Sequence, residues 1–177
     1  MASEPFASIL ELPGCCCLTF RGDRVAADIA GSVFGVALPD RPCRASHADH
    51  RAALWLGRDE WLLLASASET DDLVASLTTM LAETPHALVD VSDASVGLEI
   101  HGPGATDLLS AGCPLDFDLS AFPVDMCTRT LYGKVEIVLW RKQFDRFRID
   151  VRRSFLPYMQ GLLSEVLREQ ASDLASA

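Results

Sequence analysis

Apolar and polar positions change period several times along the chain, and the changes mark the elements. "CCCLTF" (15–20) is a compact apolar run that reads as a strand, with alternation sending Cys15 and Cys17 to one face and Cys16 to the other. Val25, Ile29, Val33 and Val36 then recur at helical spacing behind Asp23, a suitable N-cap, and "LPDRPC" ends that helix. From Arg44 to Ala65, "HRAALWLG", the polar "RDE" and "WLLLA" predict two strands joined at a tight corner, with Trp55 and Trp61 flanking it. Leu73, Leu77, Met80 and Leu81 form the stripe of a second helix starting near Glu69, which Pro85 closes, and "ALVDVS" is the next strand. Strand, helix, strand, strand, helix, strand is the split βαβ, or ferredoxin-like, pattern.

The second half nearly repeats it. "SVGLEIHG" alternates, and a helix from Pro103 to Gly112 follows. The irregular "CPLDFDLSAFPVD" then leads into three strands, 126–132, 134–141 and 144–151. Val135, Ile137 and Leu139 share one face, as do Phe147, Ile149 and Val151, while Arg146, Arg148 and Asp150 point the other way. Ser154 stands ahead of a last helix with a broad apolar side: Phe155, Tyr158, Met159, Leu162, Leu163, Val166 and Leu167. No Gly/Ser/Pro-rich linker separates the halves near Ser92. The expected fold is α+β, two tandem ferredoxin-like (split βαβ) units packing as one globular body. Residues 1–92 form a βαββαβ half, 93–170 a β-α-β-β-β-α half, and 171–177 a frayed tail.

Composition agrees with a packed domain. At 177 residues, with 49% hydrophobic and 23% charged positions, the chain is long enough to bury roughly 70% of its unfolded surface without staples. The net charge of -10 is unevenly spread. No Lys or Arg lies between Arg58 and Arg129, where thirteen acids crowd, whereas 129–153 carries eight basic residues against three acids. The blocks either face each other or solvent within one fold, or help to select a protein partner. Overall acidity opposes nucleic-acid binding. No run reaches the ~20 apolar residues of a membrane span and no signal-like leader opens the chain, so a cytoplasmic protein is expected. The six cysteines lack CxxC spacing and read as small core residues in a reducing compartment.

The candidate chemistry is thin. "HGPGA" lacks the Lys-Ser/Thr of a Walker loop and GxGxxG spacing, so Gly102 and Gly104 read as a tight corner with His101 exposed at the strand end. Asp90 and Asp93 are either paired carboxylates or turn residues, and the turn is favoured. Cys43, His47 and His50 could supply metal ligands only if the strand bends between the histidines. GxSxG, HExxH and Cys-Gly nucleophile motifs are absent from the sequence. No catalytic, cofactor-binding or metal-ligating residue is assigned. Trp55 and Trp61 as aromatics, and Arg146 and Arg148 in the basic strip, are the candidate interface residues.

Four stretches carry a family resemblance: "LWLGRDEWLLLA" (54–65), "VDVSDASVGLEIHGPGATDLLSAGCPLDFDLSAFP" (89–123), "CTRTLYGKVEIVLWR" (127–141) and "FRIDVRRSFLPYMQGLL" (147–163). They resemble the gamma subunit of heterotetrameric sarcosine oxidase, and the N-terminal third is less distinctive. The resemblance implies a compact relative of the folate-binding aminomethyltransferase domain, the glycine cleavage T-protein. It further implies a complex that oxidises sarcosine to glycine, passing the methyl carbon to tetrahydrofolate and electrons to oxygen. FAD, FMN, NAD, tetrahydrofolate and zinc would then sit on the alpha, beta and delta partner subunits. No catalytic role transfers to any position of this chain. The competing expectation is a stand-alone folate-binding or aminomethyltransferase-like protein.

Overall fold

The computed structural model describes residues 6–176, with side chains through 170. In chain order the elements are β1 (Ser8–Glu11), β2 (Cys15–Gly22), α1 (Arg24–Phe34), β3 (Ala45–Ala48), β4 (Arg51–Gly57), β5 (Glu60–Ser66), α2 (Thr70–Met80), β6 (His86–Asp90), β7 (Ser95–His101), α3 (Ala105–Ser110), β8 (Cys127–Tyr132), β9 (Val135–Gln143), β10 (Arg146–Arg152) and α4 (Leu156–Ser176). Two compact units result. One, here the β2–β6 unit, comprises Pro13–Ala94 with Asp125–Thr128; the other, the β7–β10 unit, comprises Ser95–Val124, the chain from Arg129 onward and the segment before Pro13.

Each unit carries a five-stranded sheet, ordered β3-β4-β5-β2-β6 in the first and β1-β7-β10-β9-β8 in the second. In the β2–β6 unit, α1 links β2 to β4, and β5 inserts between them, pairing antiparallel with both. That arrangement is the split βαβ pattern. Position for position, the second sheet repeats the first, down to the additional strand, β3 or β8, on one edge.

One strand differs in origin. The place that β6 fills in the first unit falls to β1 in the second, where Ile9 lies opposite Ile100 and Glu11 opposite Leu98. Leu12 N–H extends the pairing by donating to Gly97 C=O at 2.8 Å. A four-residue strand, "SILE", is too short to show a period, so the sequence pattern reads the segment as a leader; the α+β class stands, with β1 added to it.

The helices keep their places but change phase. Asp23 does cap α1, accepting from Ala26 N–H at 2.9 Å, and the buried face is Ala26, Ala27, Ala30, Gly31 and Phe34; of the expected stripe, Val25 is exposed, Ile29 and Val33 are partly buried against the core, and Val36, past the helix, is buried. Close approach explains this: a Cβ at Gly31 would meet the backbone of the returning chain near Leu38 at 3.2 Å. The helix stops at Phe34 because Gly35 takes the left-handed conformation at φ 79°, before the expected Val36. In α2, Leu73, Leu77 and Leu81 are buried and Met80 is exposed. Before α4 a 3-10 turn, Arg153–Phe155, replaces the expected Ser154 cap, and Met159 and Leu163 are buried while Phe155 and Tyr158 are about half exposed. Helix α4 continues to Ser176, through the stretch expected to fray; Ala177 lies outside the described residues.

The irregular connection between α3 and β8 is fixed by one side chain. Arg141, on β9, is 2% exposed. Its guanidinium donates to the carbonyls of Phe117 at 2.9 Å, Phe122 at 2.6 Å and Phe144 at 2.7 and 3.1 Å, and lies over the Phe147 ring at 5.0 Å. Burial lowers its pKa, with the Asp118 carboxylate acting the other way. A backbone without helix or strand bonds thus gains its donors from a buried cation.

Candidate functional site

The densest charged cluster sits on the polar face of β7, β9 and β10. Register places Arg148 opposite Glu99 and Asp150 opposite Gly97. Glu99 and Asp150 are each 7% exposed, although their side chains belong to the face that the sequence marks as polar. Lys142 Nζ reaches Glu99 Oε2 at 3.1 Å and Arg146 reaches Glu99 Oε1 at 3.3 Å. Arg148 grips Asp150 with Nε at 2.9 Å and a terminal nitrogen at 2.7 Å, the forked geometry that suits a buried pair. Gly97 makes the room, since a Cβ there would meet the Arg148 guanidinium at 3.2 Å. The acids thereby hold the bases in place, and the basic strip is partly spent within its own sheet.

The proposed interface residues therefore fare unequally. Arg146 has a 42% exposed side chain and keeps donors for a partner, whereas the Arg148 side chain is 11% exposed. Trp61 lies in the core at 3%, its indole N–H donating to Pro39 C=O at 2.9 Å and its ring 6.0 Å from Phe20. Trp55, opposite Trp61 in register, packs partly against the same core. Sequence reasoning missed a better-placed aromatic: Phe144, at the β9–β10 turn, is 66% exposed. Arg141 anchors its carbonyl, so the ring is offered on a stiff turn. An apolar residue next to Asp145 in the short link between two alternating strands is the signal that would have found it.

The remaining candidates resolve into structure. His47 faces Asp125 at 3.3 Å and His50 faces Glu69 at 2.7 Å, so the two imidazoles go to different carboxylates and do not join Cys43. Among the described residues no group of three or more His, Cys, Asp or Glu side chains is placed to hold a metal ion. Glu69 also takes the Arg51 guanidinium and the Ser66 N–H at 3.2 Å, while Arg51 donates to Phe34 C=O at 2.6 Å. This ties the end of α1 and the start of β4 to the start of α2, and the Arg51 bonds, then His50, hold the Glu69 carboxyl below its usual range. Asp90 accepts from Ser92 N–H at 2.9 Å and Ser92 Oγ at 2.5 Å, a turn rather than an acid–base pair.

The "HGPG" corner is packing. Gly102 has φ 117°, and Gly104 donates to Phe6 C=O at 2.6 Å with the Phe6 ring where a Cβ would stand. Its His101 is half-buried rather than exposed. A cleft at the start of α1 is lined by Arg21, Arg24, Arg58 and His86, but Arg21 pairs with Asp59 and Arg24 with Asp28. No helix among the described residues is long and apolar enough to cross a membrane.

Comparison with known proteins places this arrangement. The family model described as "Sarcosine oxidase, gamma subunit family" matches residues 21–169. The sarcosine oxidase subunit gamma of Corynebacterium sp. (strain P-1) is 33% identical over 73% of this chain and 63% of its own length. That of Arthrobacter sp. is 31% identical over 80% of this chain and 69% of its own. The match thus spans somewhat under two thirds of the first relative. A chain of the heterotetrameric sarcosine oxidase from Corynebacterium sp. U-96 superposes with a TM-score of 0.88 at 27% identity, covering 95% of this chain and 87% of that one. The glycine cleavage system aminomethyltransferase T of Bartonella henselae shares the fold, with a TM-score of 0.68 at 12% identity over 91% of this chain and 46% of that one. The chain belongs to the sarcosine oxidase gamma subunit family.

Proposed function

We propose that this chain is a non-catalytic subunit of a cytoplasmic, multi-subunit sarcosine oxidase and acts by contact, stabilising the assembled enzyme. The observation that carries the reading is the 0.88 superposition on a chain of a heterotetrameric sarcosine oxidase, at an identity that accompanies it along nearly the whole sequence. The internal chemistry supports it. The buried acids on the polar sheet face are each engaged by neighbouring bases, and His47, His50 and Asp90 serve local bonds. In this reading the partners are the alpha, beta and delta subunits. They hold FAD, FMN, NAD, tetrahydrofolate and zinc, and the complex oxidises sarcosine to glycine. Phe144 and Arg146, one apolar and one cationic, are among the exposed side chains a partner could contact, and their pairing is typical of interface anchors.

Binding that favours the assembled state stabilises it by mass action, about 2.7 kcal/mol when the subunit is at a hundredfold its dissociation constant. Co-expression of the tagged chain with its alpha and beta partners tests this. A yellow, flavin-containing preparation with two larger chains is expected, along with a lower melting temperature when this chain is omitted. A colourless single polypeptide would defeat the proposal. Calorimetric titration with tetrahydrofolate separates the stand-alone folate-binding reading, which requires micromolar binding by the isolated chain.

A further inference from the structure

Cys15, Cys16 and Cys17 open β2, and none of the roles above uses them. Cys16 faces the core at 0% exposure, and burial raises its pKa although the Thr70 side chain bonds to it. Cys15 and Cys17 lie on the opposite face, with their sulfurs 3.1 Å apart. Two residues of strand separate Cα atoms by roughly 6.4–6.8 Å, inside the upper edge of the disulfide window. The sulfurs need to approach by about 1 Å to reach the bonded distance of ~2.05 Å.

The surroundings favour that movement at one end only. Cys17 is 4% exposed and its backbone is held, its N–H by Ser92 Oγ at 2.9 Å and its C=O by Val91 N–H at 2.8 Å. Cys15 is partly exposed and, although it pairs with Ser66 at the end of β5, lies beyond the last β2–β6 pair, Leu18 with Asp90. It follows Gly14, around which there is open space. The other buried thiols differ: burial pushes Cys113 upward and Cys127 up to about 12, which removes them from thiolate chemistry.

We propose that Cys15 and Cys17 form a redox-active dithiol that closes to an intrastrand disulfide when a hydroperoxide is the oxidant. The Cys15 thiolate attacks one peroxide oxygen, the O–O bond breaks, and the departing hydroxide takes a proton from solvent to leave as water. Cys17 then attacks the sulfenic sulfur, the S–O bond breaks, and a second water leaves with the Cys17 proton. Two electrons pass from the sulfurs to the peroxide, and two thiols with one hydrogen peroxide give one disulfide and two waters. Pre-alignment makes the second step intramolecular and fast. A disulfide across so short a loop is strained and therefore easily reduced again.

The test uses the full chain, treated with hydrogen peroxide, quenched with an alkylating agent and digested with trypsin. Cleavage after Arg21 gives one peptide, 1–21, that contains these three cysteines and no others. Oxidised protein is expected to yield that peptide short of two hydrogens, with one alkylatable thiol, and dithiothreitol restores all three. Cys16→Ala retains the loss. Cys15→Ser and Cys17→Ser abolish it, with sulfinic acid accumulating on Cys15 in Cys17→Ser, and circular dichroism confirms that each variant is folded. Three alkylatable thiols after peroxide, or a loss that persists in folded Cys17→Ser, overturns the proposal.

Discussion

Arg141→Met isolates the part played by a buried cation in holding irregular backbone. Methionine fills similar space and donates nothing, so the carbonyls of Phe117 and Phe122 lose their guanidinium bonds at 2.9 and 2.6 Å. Both belong to residues under a tenth exposed, whereas Phe144 sits at an open turn where water can replace the arginine. At ~1–3 kcal/mol for each buried carbonyl left without a donor, the two together cost about 2–6 kcal/mol. Loss of the cation over Phe147, 5.0 Å from the ring centre, adds about 0.5–2 kcal/mol. Against a total stability of ~5–15 kcal/mol, that is enough to free residues 113–124 before the sheet itself unfolds. Lysine at this position keeps the charge but not the fork, so Arg141→Lys should fall between the two. Urea melts give the magnitude, and amide exchange across 116–124 gives the location. A methionine variant within about 0.5 kcal/mol of the parent, the range of ordinary surface substitutions, with unchanged exchange in that segment, would refute the reasoning.

Three further outcomes follow from other parts of the chain. Asp150→Asn leaves the Arg148 guanidinium, 11% exposed, without its carboxylate and should cost about 3–5 kcal/mol in urea melts; adding Arg148→Met should recover much of it, and no recovery counts against the pair. Because Arg51 holds the Glu69 pKa below the ordinary glutamate value, the stability from this carboxylate is fully present above the unfolded pKa and is lost as pH falls through the folded one. Arg51→Met should move that loss to higher pH, read from the Glu69 carboxyl carbon shift, and an unmoved midpoint would reject the assignment. Phe144→Ala should leave stability within about 0.5 kcal/mol of the parent yet weaken capture of partner subunits about tenfold in a pull-down titration; equal capture removes the hairpin tip from the interface.

The elements with a long or clean period were legible in sequence, and those set by close approach or distant pairing were not. Strands β9 and β10 alternate over enough residues that Val135, Ile137, Leu139, Phe147, Ile149 and Val151 could be assigned to one face, and all six are buried. The buried alanine face of α1 escaped notice because small residues mark a close contact that a count of large apolar side chains ignores. Strand β1 escaped because its evidence lies in β7, not in its own four residues. Trp61 reads as an interface candidate because aromatics are enriched there and Arg148 because it lies in a basic strip on the polar strand face, while neither Pro39 nor Asp150 announces itself as the partner that permits burial. Phe144 went unremarked because its role depends on a turn and on a guanidinium three residues earlier.

The direction of the pKa shifts bears on what such a chain can do. Catalytic groups are tuned toward reactivity, with thiols lowered and carboxyls raised toward neutrality. Here burial raises Cys113, takes Cys127 up to about 12, and takes Tyr132, whose hydroxyl donates to Leu108 C=O at 2.8 Å, up to about 12 as well. The carboxylates that move, Glu69 and Asp118, move down through bonds to Arg51 and Ser120, which keeps them ionised and committed to their partners. The thiol and phenol shifts come from burial and the carboxylate shifts from hydrogen bonds, and both directions favour the form each group already takes at neutral pH. Charge and polarity hold irregular backbone and a sheet face in place, as Arg141 does at Phe117 and Phe122 and Arg148 does at Asp150; in the proposed reading, Phe144 and the half-exposed Arg146 are what such a frame would present to a partner at little entropic cost.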